Sequence, residues 1–406
     1  MTQEELIAEI RKFLSGLLGE GTGAVDTASS AAVRGDSASA EAYARETGAR
    51  DLPAYINPIK PARPDPKDIY FLPNARARLQ AGLLLLGVQK DNSVHLYDPE
   101  TGGTELVCRF LNTPMLLWRA VPAPDGTFYC SLSGTRWPDN PDEVAFGQGG
   151  TILHIDSNNE TMEVVPGSEQ FADPGELRLL DNGELLVVDF EGFGGTGSVH
   201  SLNPQTGTKT TLMSGGLLRE PVAAVFHPDG TLFIANSVMS YSHPAGPGGE
   251  RVKETGAILR LDPDATEVTV LRDESRTPSG VIDSLALEQE QHRYLIFTRN
   301  DWPRQETGGI FQLDLETNKV TPIIEATREA TLFVRNETGA HPRLVHAADS
   351  YNKVMLTIDA IDAKIIDRKP LNDILGPGIG MVTPLETVES LRPIPEQVTR
   401  RLRPRG

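Results

Sequence analysis

The 406-residue sequence contains little cysteine and no long apolar segment. Its two cysteines, Cys108 and Cys130, cannot form a disulfide framework and do not lie in a Cys-x-x-Cys spacing, so we expect buried, reduced thiols. Apolar runs such as Leu83–Leu86 have the length of a strand, whereas a membrane-spanning helix needs about 20 apolar residues. The first residues are acidic where a secretory signal has basic ones, so a soluble, cytoplasmic protein is expected.

Positive charge is also scarce. The chain has 38 Lys and Arg against 56 Asp and Glu, which gives a net charge of −18. A protein this acidic repels phosphate backbones and anionic lipids, so we expect neither nucleic acid nor a membrane as a partner. The arginines of residues 391–406 are the exception, and we interpret this segment as a solvated basic tail.

Common catalytic signatures are missing as well. The sequence has no Gly-x-Ser-x-Gly, no His-Glu-x-x-His, no Walker loop and no Gly-x-Gly-x-x-Gly behind a predicted strand. None of the enzyme classes that these signatures define is therefore predicted.

Glycine and proline are abundant, with 38 and 30 residues, and they mark an internal repeat. A typical copy has a proline before an apolar run, an Asp-Gly or Asn-Gly turn, a second apolar strand, a loop, a third strand and a short fourth strand. Four clear copies begin at Pro114, Pro174, Pro221 and Pro278. Four antiparallel strands joined in this way are typical of a β-propeller blade.

The remaining segments predict two more blades. A weaker fifth copy has strands that begin at Arg343, Lys353 and Lys364. Three strands precede the first copy and one inner strand follows the last, at Ala81–Val88, Val94–Tyr97, Glu105–Phe110 and Pro377–Leu385. Pairing of the C-terminal inner strand with the N-terminal strands would complete a sixth blade without a free edge. We therefore predict an all-β, six-bladed β-propeller over residues 71–390.

Residues 1–70 form an extension outside the repeat. Thr2 and Glu5 make a capping box, and Leu6, Ile10 and Phe13 recur at helical spacing, so an amphipathic helix is predicted before a stretch rich in Ala, Ser and Pro. We expect the helix to pack on a blade or on a second subunit, which would make a homodimer. Attachment to a membrane surface is the alternative that its acidic polar face disfavours.

The loops between second and third strands are the predicted binding site. They share one face of a propeller with the starts of the next inner strands, and here they are long, whereas the turns of the other face are tight. The predicted substrate-binding residues are Arg136, Trp137, Glu191, Asn236, Tyr241, Asn300, Asp301 and Trp302. His243, in a loop rich in Gly and Pro, is the histidine predicted to be catalytic.

Acidic residues at the starts of the inner strands are the other predicted catalytic groups. Asp173, Glu176 and Glu220 lie beside the lead prolines of their copies and would face the central channel. Carboxylates that converge in a partly dry channel can act as a general acid and base, or can hold a cation such as calcium.

The histidines of the strands divide into two predicted groups. His341 or His346 of the fifth copy is assigned to the channel. His95, His154 and His200 alternate within third strands, where we predict that they pack with satisfied hydrogen bonds.

Three segments carry a resemblance to known families, namely Phe226–Ser237, Gly256–Pro263 and Thr277–Val281. Over residues 80–386 the sequence resembles the six-bladed propellers of the senescence-marker-protein/gluconolactonase family and their strictosidine-synthase-like and streptogramin-lyase-like relatives. For the lactonase branch, the resemblance implies a divalent metal at the channel mouth, held in part by the Asn of a Pro-Asn-Gly phrase.

The phrases that align with these metal ligands differ in this sequence. They read Pro278-Ser279-Gly280 and Pro221-Val222-Ala223, and neither contains the ligand. No metal residue is therefore predicted, and other oxygen-bearing residues, Asn236, Asp283 or Glu176, are the alternative.

These observations lead to three functional hypotheses. The preferred one is a metal-independent cyclase, lyase or isomerase of natural-product (secondary) metabolism, which acts on a hydrophobic small molecule without a cofactor. The second is a metal-dependent lactonase or esterase of the gluconolactonase type that uses calcium or another divalent cation. The third is a non-catalytic binding or scaffold propeller.

Overall fold

The computed structural model describes the strands of the repeat and their tight turns. The described residues are 69–72, 82–88, 92–111, 116–133, 150–180, 182–190, 197–215, 217–218, 220–238, 255–273, 281–300, 308–325, 332–335, 341–349, 352–371 and 379–384. The predicted N-terminal helix and the basic tail lie outside these residues. Within them, no helix is long and apolar enough to cross a bilayer.

Twenty-five strands in the described residues form six antiparallel sheets, which we call blades one to six. Blade one contains β1 (Ile69–Phe71), β2 (Leu84–Val88), β3 (Ser93–Tyr97), β4 (Thr104–Phe110) and β25 (Ile379–Pro384). Blade two contains β5 (Leu116–Pro122), β6 (Phe128–Ser133), β7 (Thr151–Asp156) and β8 (Thr161–Val164). Blade three contains β9 (Pro174–Leu179), β10 (Leu185–Asp189), β11 (Ser198–Leu202) and β12 (Lys209–Ser214). A 3₁₀ turn at Ser168–Gln170 connects blades two and three.

The other three blades follow the same order. Blade four contains β13 (Glu220–Phe226), β14 (Leu232–Val238), β15 (Thr255–Leu261) and β16 (Thr269–Asp273). Blade five contains β17 (Val281–Leu287), β18 (Tyr294–Asn300), β19 (Gly308–Asp314) and β20 (Val320–Glu325). Blade six contains β21 (Leu332–Arg335), β22 (Leu344–Asp349), β23 (Val354–Asp359) and β24 (Lys364–Pro370).

The strands differ in burial with their distance from the axis of the ring. In blade three, β10 and β11 are buried at every residue, whereas β12 and its counterpart β16 are half-buried or exposed. Neighbouring blades pack on both faces of the central strands. A strand that is buried on both faces has a nearly continuous apolar sequence. This explains why the repeat is visible as apolar runs and not as a strict alternation.

Tight turns join the strands at one end of the ring, which we call the turn end. Gly126, Gly183 and Gly230 have φ of 83°, 80° and 91°, a conformation that glycine adopts without strain and that turns of this kind require. After the third strands, one side-chain oxygen accepts two backbone N–H groups at each of Asp98, Asp156, Asn203, Asp314 and Asp359. The Asp, Asn and Gly residues between the apolar runs of the sequence are therefore the residues that form the tight turns.

Six apolar clusters hold the ring together, one at each interface between neighbouring blades. Cys108 and Cys130 lie in the cluster between blades one and two, both are free, and burial raises the pKa of each thiol. The cluster that contains Tyr97 and Met355 joins blade six to blade one. The other clusters join blades two and three, three and four, four and five, and five and six. The predicted six-bladed, all-β propeller is confirmed.

The last sheet combines both ends of the propeller sequence. Strand β25 pairs antiparallel with β2, with Leu86 opposite Val382, and β25 contacts the inner strands β5 and β21 of its two neighbouring blades. Strand β1 adds a fifth, outermost strand to this blade through β4, which the sequence did not predict.

Blade six differs from its prediction at the inner strand. The sequence places the first strand of this blade at Arg343, whereas the structure has β21 before it, in register with β22. His346 consequently lies in the second strand, buried, with its Nδ1 3.4 Å from Thr357 Oγ1, and burial lowers its pKa to about 4. His341 lies shortly before the same second strand, so the assignment of either histidine to the start of an inner strand was wrong.

Candidate functional site

The inner strands share an irregularity near their starts. In five of the six, the pairing with the second strand shifts register, at residue 118 of β5, 175–176 of β9, 222 of β13, 283–284 of β17 and 380 of β25. Strand β21 pairs with β22 without a shift over its four described residues. Register shifts of this kind re-aim side chains and are over-represented beside functional sites. They occur here at the end of the ring where the long loops begin, which we call the loop end.

A buried ion cluster lies between the inner strands of blades two and three. Arg119 Nε and Nη2 donate to Glu176 Oε2 at 2.9 and 2.5 Å, and Arg178 Nε lies 3.5 Å from Glu176 Oε1. The side chains of Arg119, Glu176 and Arg178 are 1%, 0% and 7% exposed. Two guanidinium groups therefore share one carboxylate in the middle of the fold.

Arg178 also links two blades that are not neighbours. Its Nη2 donates to the backbone oxygen of Leu285 on the inner strand of blade five at 3.1 Å. Blade four lies between these two blades in the ring, so the hydrogen bond joins blades that are not in direct sequence order. Arg178 follows Asp173 by five residues along the inner strand of blade three. It therefore lies about 15 Å closer to the turn end than Asp173 does. This hydrogen bond therefore joins the inner strands of blades three and five well below the loop end.

The same register position in other blades is not charged. In each blade, the last pair of residues between the inner and the second strand lies beside the tight turn. Arg119 and Glu176 each lie three residues before the inner-strand member of that pair. The corresponding residues of blades four and five are Ala223 and Ser284. Arg178 lies one residue before that pair, where blades two, four and five have Val121, Val225 and Ala286. The fold thus accepts small or apolar residues at these positions.

An aromatic pair lies next to the ion cluster. Trp118, at the register shift of β5, and Phe190, directly after β10, meet edge to face with their ring centroids 5.2 Å apart. A β-carbon on Gly175 would overlap the Phe190 ring, so the absence of a side chain there lets the ring lie on the inner strand of blade three. Both aromatic side chains are only half-buried.

Acidic side chains surround the start of β9. Asp189 accepts the backbone N–H groups of Ala172 at 3.1 Å and Asp173 at 2.6 Å, which fixes the backbone just before the strand. Asp173 in turn accepts a hydrogen bond from the Ser133 hydroxyl of blade two. All of these groups except Ala172 are buried. The predicted catalytic residue Asp173 therefore lies at a joint between two blades.

Glu220 occupies in blade four the register position that Asp173 occupies in blade three, directly before the lead proline, and it is buried as well. Asn236 is the counterpart of Asp189, and its Nδ2 donates to Leu217 O at 3.1 Å. Ser237 completes the joint to blade five, because its hydroxyl donates to Ile282 O and accepts from Ile282 N. The structure thus brings Asp173, Glu176, Glu220 and Asn236 to the inner part of two neighbouring blades.

The remaining predicted site residues are in the long loops. Asn300 ends β18, and only its backbone is described. Seven others lie outside the described residues, namely Arg136, Trp137, Glu191, Tyr241, His243, Asp301 and Trp302. Their roles stay predictions.

The histidines of the third strands have the packing role that the sequence predicts. His95, His154 and His200 bond through Nε2 to the hydroxyls of Ser93, Thr127 and Ser198 at 2.9, 2.8 and 2.7 Å. Burial lowers the pKa of His200 to about 3. The described residues contain no group of three or more His, Cys, Asp or Glu spaced to hold a metal ion.

Sequence reasoning missed Trp118, Arg119, Arg178 and Phe190. A signal for the arginines was present, because Leu-Trp-Arg-Ala-Val and Gly-Glu-Leu-Arg-Leu place charge inside apolar strand runs. Charged residues are almost never fully buried unless they are paired, so such runs indicate either an exposed strand face or a buried ion pair.

Comparisons with known proteins support the fold alone. No protein-family model and no curated protein sequence matches the chain. A chain of the nidogen/laminin complex is similar with a TM-score of 0.51 and 10% identity, over 72% of this chain and 95% of that one. TolB from Acinetobacter baumannii gives 0.45 and 10%, over 71% and 62%, and the tricorn protease gives 0.44 and 14%, over 73% and 27%. The resemblance to the gluconolactonase and strictosidine-synthase-like families stays a prediction.

Proposed function

We propose that this protein binds a small molecule on the axis of the propeller, in a pocket that opens at the loop end. The Arg119–Glu176–Arg178 cluster forms its floor, and Trp118 with Phe190 forms part of its wall. The hydrogen bond from Arg178 to Leu285 O carries this proposal, because a link between the inner strands of blades three and five narrows the central channel below the loop end and supplies a floor for a pocket that opens there.

The cost of burying charge supports a ligand site over a scaffold. Removing two guanidinium groups and a carboxylate from water costs several kcal/mol per ion, and apolar residues of similar volume often stabilise a fold equally well. Ala223 and Ser284 occupy the corresponding positions of other blades. The charges at Arg119 and Glu176 are therefore better explained by a role on the axis than by folding.

The long loops complete this site in our proposal. The residues that the sequence predicts to bind substrate keep that role here, with Trp137, Tyr241 and Trp302 as the aromatic contacts of the ligand and Arg136, Glu191, Asn300 and Asp301 as the polar ones.

A metabolite screen by thermal shift tests the binding proposal. The wild-type protein, Trp118→Leu and the control Tyr70→Leu would be compared, since Tyr70 is exposed on β1, far along the sheet from the axis. We expect ligands that raise the Tm of the wild type and of the control but not of Trp118→Leu. Equal shifts in all three proteins would show that ligands bind without Trp118 and would contradict this pocket, whereas no shift with any metabolite would indicate a scaffold.

A second candidate function, metal-independent acid–base catalysis, is favoured by the positions of Asp173 and Glu220. These two buried carboxylates occupy the same register position on neighbouring inner strands, and Asp173 has a hydroxyl donor in Ser133. Proton transfer by such a pair, with His243 from the loop, fits a cyclase, lyase or isomerase. Glu176, held by Arg119 and Arg178, suits a positioning role.

The catalytic proposal has its own experiment. Metabolite extracts incubated with the protein would be analysed by mass spectrometry for substrates that disappear and isomers or fragments that appear. We expect Asp173→Asn and Glu220→Gln to stop the conversion and the turn-end control Asp314→Asn to retain it. Activity that a chelator abolishes and calcium restores would support the lactonase or esterase hypothesis instead.

A further inference from the structure

We infer that the part of the ligand that enters this pocket is an uncharged, flat aromatic ring system, held in the corner between the side chains of Trp118 and Phe190. The polar groups of the ligand then lie toward the mouth of the pocket. This inference rests on the proposed binding function and adds to it the chemical class of the ligand.

The two aromatic side chains belong to the inner part of the propeller. Trp118 is at the register shift of the inner strand β5 and packs against the apolar cluster between blades one and two. Phe190 packs against the clusters between blades three and four and between blades four and five. Their contact, with ring centroids 5.2 Å apart, therefore joins the clusters of three blade interfaces, which converge toward the middle of the ring.

The geometry of the pair forms a corner that suits a flat ring. The two ring planes are nearly perpendicular, at 86°. Phe190 is held in this orientation, because its backbone N–H donates to Asp173 O at 3.0 Å and its ring lies on Gly175, where a β-carbon would overlap it. Both side chains are only half-buried. A flat ring that enters the corner can stack on one side chain and present its edge to the other, and aromatic pairs favour both arrangements.

The charged side chains next to the corner are too deeply buried to receive a charged ligand. Arg119, Glu176 and Arg178 are 1%, 0% and 7% exposed and engage one another. Asp173 is buried as well and accepts a hydrogen bond from Ser133. A charged group in the corner would lose its hydration against the aromatic rings, and these buried groups could not replace it. The corner therefore favours an uncharged group.

Matched probes distinguish an aromatic corner from a surface that is only apolar. 2-Naphthol and decahydro-2-naphthol share a carbon skeleton and a hydroxyl, as do 3-phenylpropanol and 3-cyclohexylpropanol. A surface that recognises apolar area alone prefers the saturated compound of each pair, which has the larger apolar area. Isothermal titration with the 406-residue protein would give Kd for each compound. We expect the aromatic compound to bind about twofold to tenfold more tightly, the factor for one aromatic contact.

A second set of probes tests the absence of charge. Quinoline and N-methylquinolinium have the same flat ring system, and only the second is positively charged at neutral pH. 2-Naphthoate, compared with 2-naphthol, tests a negative charge. We expect each charged compound to bind about fivefold or more weakly than its uncharged counterpart, because its charge must be removed from water. Tighter binding of N-methylquinolinium, on the face of Trp118, would overturn the uncharged class.

Variants connect the aromatic preference to the corner. Trp118→Leu and Phe190→Leu should each remove the preference and leave weaker binding of both compounds in a pair. Trp118→Phe keeps a ring at this position and should retain part of the preference, whereas the control Tyr70→Leu, on an exposed side chain of β1, should leave it unchanged. Near-ultraviolet circular dichroism checks that each variant is folded, and Trp118→Phe keeps the test usable should Trp118→Leu fail to fold.

The outcomes separate this inference from the proposed function. Saturated compounds that bind as tightly as aromatic ones, and that Trp118→Leu weakens to the same extent, would overturn the inference and leave the binding function standing. An aromatic preference that persists in folded Trp118→Leu and Phe190→Leu would overturn the assignment to this corner. Failure of every probe to bind the folded wild type would overturn the ligand class, and the metabolite screen would then decide the binding function by itself.

Discussion

Gly150, which directly precedes the third strand of blade two, packs so closely on Pro174 that no β-carbon fits between them. The same contact recurs one blade further, where Gly197 packs on Pro221. These prolines begin two of the repeats, and each fits against a glycine of the preceding blade. The glycine and proline content of the sequence therefore reports contacts between blades as well as turns.

Alanine at either glycine should destabilise the ring. We expect Gly150→Ala and Gly197→Ala each to lower the free energy of unfolding by about 1–3 kcal/mol, the usual effect of overpacking. Chemical denaturation measures this loss. The control is Gly103→Ala, where a β-carbon would meet only the Thr101 hydroxyl, at 3.3 Å. Comparable losses at all three positions would contradict the importance of the blade contact.

The Arg119–Glu176 pair should show strong energetic coupling. Removing one partner of a buried pair leaves the other charge uncompensated, so Glu176→Leu should cost about 3–5 kcal/mol, and the double variant with Arg119→Leu should cost much less than the sum of the single changes. Denaturation of the single and double variants measures the coupling. The exposed pair of Arg260 and Asp262 is the matched control, with an expected coupling of about 0–1 kcal/mol. Equal coupling in the two cycles would contradict this prediction.

The repeat made the fold predictable, and its weakest copy marks where prediction failed. In blade three, Pro174 and the turn at Gly183 identify the hairpin without further information. Blade six has no lead proline before Leu332 and no Asp-Gly turn after it. Its inner strand was therefore overlooked, and His346 was assigned to the start of an inner strand although it belongs to the second strand.

The floor of the proposed pocket could not be predicted for a different reason. Arg178 and Leu285 are 107 residues apart and belong to blades that are not neighbours. Local patterns report hairpins and turns, whereas a contact between blades that are not neighbours depends on how the blades are arranged around the ring. The acidic residues beside the lead prolines were found because Asp173 and Glu220 occupy the same place in two copies of a local phrase.

Buried His200 predicts a dependence of stability on pH. Its folded-state pKa of about 3 lies below the value near 6.5 of an unfolded histidine, because burial disfavours the charged ring. Above pH 6.5 neither state is protonated. As the pH falls from 6.5 toward 3, only the unfolded state takes up the proton, so His200 lowers the free energy of unfolding by up to about 1.4 kcal/mol per pH unit.

Substitution isolates this contribution from that of the carboxylates. We expect His200→Gln to be less stable than the wild type at pH 8 and to lose less stability on acidification to pH 4. Thr211→Val, which removes the hydroxyl 3.1 Å from His200 Nδ1 and keeps the imidazole, is the control and should lose stability as the wild type does. Identical slopes for His200→Gln and the wild type would refute the role of this histidine.

The pairing of β2 with β25 predicts that the C-terminal strand stabilises the whole ring. Without residues 379–384, β2 loses its hydrogen-bonded neighbour, and β5 and β21 lose the strand that lies between them. Because six interfaces support one another around a closed ring, opening one of them should reduce the cooperativity of unfolding as well as its midpoint. A chain that ends at residue 378 should show a lower Tm and a broader transition than one that ends at residue 384. Indistinguishable melting curves for the two chains would show that β25 contributes little to closure, and the apolar cluster of Tyr97 and Met355 would then be the contact that joins blade six to blade one.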